Sequence, residues 1–228
     1  MCKLGKEDKD FFLETFLRLV QIESASEQGP DRCPTTDGQL KVGDALIDIM
    51  EYVGLENVRR DEHGYVFGTL PTNLPPGSKP LSIGLIAHMD TSPEGKGEDD
   101  IIKPSVIVYQ GGDITLENGT VITESCHPHL RDLVGEEIVV TDGRSLLGGD
   151  DKAGIAEILT MVNYLTSNLA MLHPTIEVCF VPDEEIGHQV AHLDLEKWKV
   201  DHAYTVDGGE LGEYSVETFS AIGAKVTI

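Results

Sequence analysis

Basic side chains are few in this 228-residue chain: 17 Lys and Arg stand against 40 Asp and Glu, a net charge of −23. A surface this acidic repels phosphate backbones and anionic lipid, which excludes nucleic acid and membrane surfaces as expected partners. No apolar run approaches the roughly 18 residues that a spanning helix needs, and the opening MCKLGKEDKDFF has no leader-like apolar core. The four cysteines, Cys2, Cys33, Cys126 and Cys179, form no CxxC pair or cluster. Free thiols in a reducing compartment are expected, with Cys179 a buried small hydrophobe in TIEVCFVP, and the chain reads as soluble and cytoplasmic. Internal repeats and low-complexity tracts are also missing.

What is present is an alternation of helical and extended patterns. Phe12, Phe16, Leu19 and Val20 recur at helical spacing within 7–23. A second helix, capped by Thr36 or Asp37, carries Leu40, Ala45, Leu46, Ile49, Met50 and Val53 on one side and stops at Gly54. Strands are expected at 57–60 and 65–70 around the turn DEHG, and LSIGLIAHMD and TIEVCFVP read as buried strands. Residues 91–135 read as irregular with short strands such as SVIVYQ. A helix is expected from Lys152 to Leu165, another in DLEKWKV, and a short strand in AYTVDGG. The expected fold class is α/β: three layers, a mostly parallel mixed sheet, helices on both faces.

In such sheets ligands bind beyond the carboxyl ends of the strands, so polar residues that end apolar strands are the candidates. His88 and Asp90, two apart in an extended strand, share a face. His88 can bind a metal while Asp90 accepts the imidazole's other N–H. Asp150 and Asp151 follow two glycines and precede a helix; one can serve as N-cap, leaving the other for a metal. Glu184 and Glu185 end a buried strand, directly after Asp183. Three adjacent carboxylates repel one another unless a cation intervenes, and a paired site lets one Glu ligate while the other moves a proton. Asp207, before Gly208 and Gly209, reads either as a turn residue or as a terminal ligand. Oxygen donors with an imidazole suit Zn²⁺, Mn²⁺ or Co²⁺, and a pair of such ions roughly 3.5–4 Å apart suits hydrolysis of amide or phosphate bonds.

Taken with HMDTSPE, PSVIVYQGGDITL, TDGRSLLGGDDKAGIAEI, FVPDEEIG and AYTVDGGELGE, these residues resemble the peptidase T family of zinc-dependent exopeptidases over essentially the whole chain. The resemblance implies a zinc exopeptidase-like catalytic domain with two Zn²⁺ per complete subunit and release of the N-terminal residue from tripeptides. His88 and Asp207 would bind one metal, Asp150 would bridge both, and Glu185 would bind the second. Asp150 is preferred to Asp151 because it aligns with the single Asp of relatives that read ADMKG where this chain reads GDDKA. Glu184 would be the general base, and Asp90 would orient His88. Complete members continue into a lid or dimerisation domain and return with a late His ligand. Residues 1–215 are therefore expected to be the first part of the catalytic domain, left incomplete, and 216–228 the start of the lid. Homodimerisation through the lid is a further implication. His188 and His192 are expected as surface histidines on a helix, and His127 and His129 as a loop candidate for substrate contact. Two other readings stand beside this one: a deacylase of N-acyl amino acids, and a metal-binding fragment without activity.

Overall fold

The computed structural model describes residues 4–95, 97, 101–209 and 214–216. Helix α1 spans Lys6–Val20, opening with Glu7 and Asp8 and burying Phe16, Leu19 and Val20. Helix α2 spans Asp37–Tyr52, with Val42, Ala45, Leu46, Ile49 and Met50 buried. Thr36 occupies its N-cap position with extended backbone, but its hydroxyl donates to the Ala25 carbonyl at 2.8 Å and caps nothing. Past the helix, Gly54 has φ 86°, the left-handed conformation expected of a glycine at a helix end.

Strands β1 (Glu56–Arg60) and β2 (Val66–Leu70) pair antiparallel around DEHG. There Asp61 Oδ1 accepts the N–H groups of His63 and Tyr65. Strand β3 (Ile83–His88) follows. Four short strands come next: β4 (Ser105–Val108), β5 (Ile114–Thr115), β6 (Val121–Ile122) and β7 (Glu137–Val140). They form two ribbons, β4–β7 and β5–β6, around a small core of Tyr109, Ile114 and Leu130. Helix α3 (Gly149–Ser167), strand β8 (Ile176–Val181) and strand β9 (His202–Thr205) complete the described elements.

The main sheet has the order β1-β2-β8-β3-β9. The pairings of β3 with β8 and of β3 with β9 are parallel; β1–β2 and β2–β8 are antiparallel. The sheet is thus evenly mixed, because the tight turn at DEHG reverses β2 instead of crossing over. Among the described residues, α1, α2 and α3 join one cluster with Val66, Ala87, Val178 and Phe180 on a single face. The opposite face carries Phe67, Cys179 and Val181, covered by Trp198, Leu193 and Val200. Trp198 and Val200 lie in the segment expected to be helical. Asp194 Oδ1 instead accepts the Glu196 and Lys197 N–H groups, and only one helical turn forms before Trp198 and Val200 drop onto the sheet. The boundary at 215/216 falls where few residues are described, and 217–228 lie outside them. No helix among the described residues is long and apolar enough to cross a membrane.

Register brings the candidate residues to one edge. His88 pairs with Val181, Val66 with Phe180, and Ile86 with Thr205, so the chain leaves β3, β8 and β9 at the same level. The first turn of α3 is pressed onto the exit from β9: a Cβ on Gly154 would overlap the Val206 carbonyl oxygen and the Asp151 carboxylate. Helix propensity alone makes Gly154→Ala stabilising. Here overpacking outweighs it, and a loss of about 1–3 kcal/mol is expected in chemical denaturation. An unchanged or higher midpoint would refute the close packing of α3 on this exit.

Candidate metal centre

Helical dihedrals in α3 begin only after Asp151, since Asp150 (φ −81°, ψ 110°) and Asp151 (φ −118°, ψ 30°) are both non-helical. That divides the two aspartates. Asp151 is buried; its Oδ1 accepts the Gly154 N–H at 3.2 Å, as an N-cap does, and its Oδ2 accepts the His88 N–H at 3.1 Å. Asp150 has no backbone duty of this kind. Its side chain is 63% exposed and places Oδ1 2.8 Å from His88 Nε2.

His88 is the hub, with its side chain only 3% exposed. Nδ1 lies 3.0 Å from the backbone carbonyl of Asp90 and 3.5 Å from Asp90 Oδ1. A proton on Nδ1 therefore leaves Nε2 facing carboxylates: Asp150 at 2.8 Å, Asp207 at 3.8 Å and Glu184 at 3.9 Å. The Asp90 carboxylate has a second task. Fully buried, it accepts the N–H of Glu184 at 2.9 Å and of Glu185 at 3.1 Å, joining the end of β3 to the turn after β8.

Four carboxyls here are held above their ordinary range, each first by burial: Asp151, Glu184, Glu185 and Asp207. Asp151 is pushed up to about 8, with the Asp207 charge adding to burial. Burial pulls His88 down, but the Asp90, Asp151 and Asp207 carboxylates outweigh it and raise the imidazole to about 10. A positive charge is thus favoured between Nε2 and the acids, which a proton or a divalent cation can supply. Ligand atoms of His88, Asp150 and Glu185 lie within 4.8 Å of one another, as do those of His88, Asp151 and Asp207. One nitrogen and several carboxylate oxygens at this spacing fit a hard or borderline divalent ion.

The metal-free chain should show the reverse of ordinary acid sensitivity. The folded pKa values of Asp151 and His88 lie above their unfolded ones, so the stability they contribute is complete below the unfolded values, roughly 4 and 6.5. It is lost as pH rises through about 8 and about 10 respectively. Lys152, lowered to about 7 by burial, acts in the opposite sense: its contribution is lost as pH falls through that value. The melting temperature in chelator is expected to fall between about pH 5 and about pH 7, and saturating Zn²⁺ should flatten the dependence, because a cation replaces the protons. Calorimetry at a series of pH values checks this; a rising curve in chelator contradicts it.

The candidate residues His88, Asp90, Asp150, Glu184, Glu185 and Asp207 all meet in this cluster, although LLGG is no strand and Asp150 comes from the start of α3. His188 and His192 lie on no helix: His188 follows a turn that ends at Gly187 (φ 79°) and sends its N–H to the Asp183 carbonyl, and His192 lies in the next turn. The His192 ring stacks on His63 at 4.0 Å. His127 and His129 face each other at 6.0 Å in a 3₁₀ segment outside both ligand groups. Cys33, Cys126 and Cys179 are free thiols. Sequence reasoning missed the support beneath the cluster: Asp183 does not join it, but is buried against Thr35 and Gln39. Only its place at the head of an acidic run could have signalled it.

No protein-family model matches the chain. Peptidase T of Parabacteroides distasonis is 41% identical over 216 residues, 94% of this chain and 52% of that protein. Peptidase T of Clostridium botulinum strain 657 is 45% identical over 219 residues, 95% of this chain and 53% of the relative. This chain is homologous to part of peptidase T. It spans about half the length of the curated peptidase T relatives it matches. The fold agrees: aminopeptidase PepT from Bacillus cereus matches with TM-score 0.60 and 24% identity, over 89% of this chain and 44% of that one. An aminoacylhistidine dipeptidase from Vibrio alginolyticus matches with TM-score 0.57 and 20% identity, over 89% and 34%. The mixed sheet and helices are thus shared by peptidase T and by more distant peptidases.

Proposed function

We propose that this chain carries the larger part of a two-metal site of a cytoplasmic aminopeptidase that releases the N-terminal residue from tripeptides. One observation carries the reading: carboxylates from the start of α3 (Asp150) and from the exits of β8 and β9 (Glu184 and Asp207) surround the single nitrogen His88 Nε2 at 2.8–3.9 Å. In this reading His88 and Asp207 hold one ion, Glu185 holds the other, and Asp150 bridges. Zn²⁺ is the expected metal, with Mn²⁺ or Co²⁺ as substitutes. Bound there, the ions would polarise a peptide carbonyl and acidify a water.

The chain's own residues do the rest. Glu184 is partly buried with its pKa raised, and it is tied to Asp90 only through its backbone N–H. Its Oε1 accepts Gln189 Nε2 at 3.3 Å, and the carboxylate can still take a proton from the attacking water and return it to the leaving amine. Asp90 holds that glutamate's backbone while its own carbonyl fixes the His88 ring. The cationic amino terminus of a short peptide is drawn to a chain of net charge −23. Residues 1–215 form the catalytic part in this reading, and 216–228 open a lid.

The test is hydrolysis of a tripeptide beside an N-acetyl amino acid, in Zn²⁺ and in chelator. Release of the N-terminal residue, lost in chelator and restored by Zn²⁺, supports the proposal. Hydrolysis of the N-acetyl compound alone would make the chain a deacylase. Zinc binding without turnover of either would reduce it to a binding element.

A further inference from the structure

We propose that Asp183 is a positioning residue: with Thr35 and Gln39 it clamps the turn that presents Glu184 and Glu185, and so fixes where those carboxylates stand toward the cations. This rests on the metal reading above. The three acids are consecutive, yet they part company. Asp183 is 1% exposed and has φ 57°, a left-handed conformation that Asp tolerates better than most residues. Its carboxylate accepts the Thr35 N–H at 3.1 Å, the Thr35 hydroxyl at 2.6 Å and Gln39 Nε2 at 2.7 Å. Its own N–H donates to Gln39 Oε1 at 3.1 Å, and its carbonyl accepts the His188 N–H at 2.9 Å. Thr35 is 2% exposed and Gln39 0%.

The reversal at Asp183 sends its side chain toward α2 and aims the next two N–H groups at the Asp90 carboxylate. Two buried carboxylates therefore fix the turn: Asp90, just past β3, accepts its N–H groups, and Asp183, within the turn, ties it to Thr35 and Gln39 at the start of α2. Gln39 supplies both a donor and an acceptor to one residue, a reciprocal pair that cannot be replaced on one side only. Gln39→Glu sets two carboxylates together; Asp183→Asn offers a donor where Gln39 already presents one. Combining the two substitutions restores the pairing in reverse, with the amide now at position 183 donating to the carboxylate now at position 39.

The experiment is Co²⁺ titration of the chain, followed by visible absorption and chelator competition, with a thermal melt of each variant. Each single variant is expected to weaken Co²⁺ binding by about 10–100-fold and to change the spectrum, as loss of outer-shell partners does. The double variant should return to the affinity and spectrum of the unaltered chain. Where Asp183→Asn does not fold, Thr35→Val, which deletes the 2.6 Å bond and keeps the backbone one, carries the same test. Folded single variants with unaltered affinity and spectrum overturn the inference, as does a folded double variant that fails to recover. Absence of Co²⁺ binding by the unaltered chain overturns the metal reading itself.

Discussion

Replacing His88 by alanine is expected to abolish tight divalent-cation binding. His88 belongs to both ligand groups and is the sole nitrogen donor in either. Its removal leaves Asp150, Asp151, Glu185 and Asp207 facing one another without an imidazole, and a purely carboxylate set suits Mg²⁺, Ca²⁺ or Mn²⁺ better than Zn²⁺. The loss should exceed the roughly 10–100-fold that removal of an outer-shell partner brings. Asp90→Asn provides that comparison: its carboxylate approaches Nδ1 no closer than 3.5 Å, and it acts mainly through the Glu184 and Glu185 amides. Competition of Zn²⁺ with a chromophoric chelator measures both variants. A His88→Ala protein that binds Zn²⁺ within tenfold of the unaltered chain would remove the centre from consideration.

The second large effect concerns Glu184→Gln. Glutamine keeps the size of the side chain and the backbone bond to Asp90 but cannot take a proton. Hydrolysis of a tripeptide should fall by about 10²–10⁴-fold, the contribution of a positioned general base. Zinc content should stay unchanged, because Glu184 belongs to neither ligand group whereas Glu185 does. Metal analysis alongside the rate decides the matter. If zinc leaves with the activity, the two glutamates have been assigned the wrong way round. The raised pKa of Glu184 follows first from burial, then from the opposed influences of His88 and the nearby acids. Cation binding should return it toward the ordinary carboxylate range, which the acid limb of the rate profile would report.

Both effects involve residues that were legible as polar endings of apolar strands. That pattern works because a parallel strand buried on both faces must be apolar throughout, so a His or Asp at its end marks the sheet's edge. The pair at 150 and 151 was only half legible. Sequence shows that one aspartate can cap the helix; the dihedrals and the Gly154 bond show that Asp151 does so, which in the proposed site leaves Asp150 to bridge the ions. The role of Asp90 also changed in detail, since its carbonyl lies nearer the ring than its carboxylate does. The helix expected in DLEKWKV failed because Trp198 and Val200 are claimed by the sheet, a contact that no local pattern reports.

By itself the sequence determined the alternation of helices and strands, the acidic balance and the identity of the residues at the strand exits, because periodicity and charge are local properties. Tertiary structure alone decided which exits meet. Pairing His88 with Val181 and Ile86 with Thr205 sets three exits level, and Asp183 is drawn out of its acidic run by Thr35 and Gln39, about 145 residues earlier in the chain. Those are contacts between distant segments, fixed by burial and hydrogen bonding once the sheet has assembled, and no spacing along the chain encodes them.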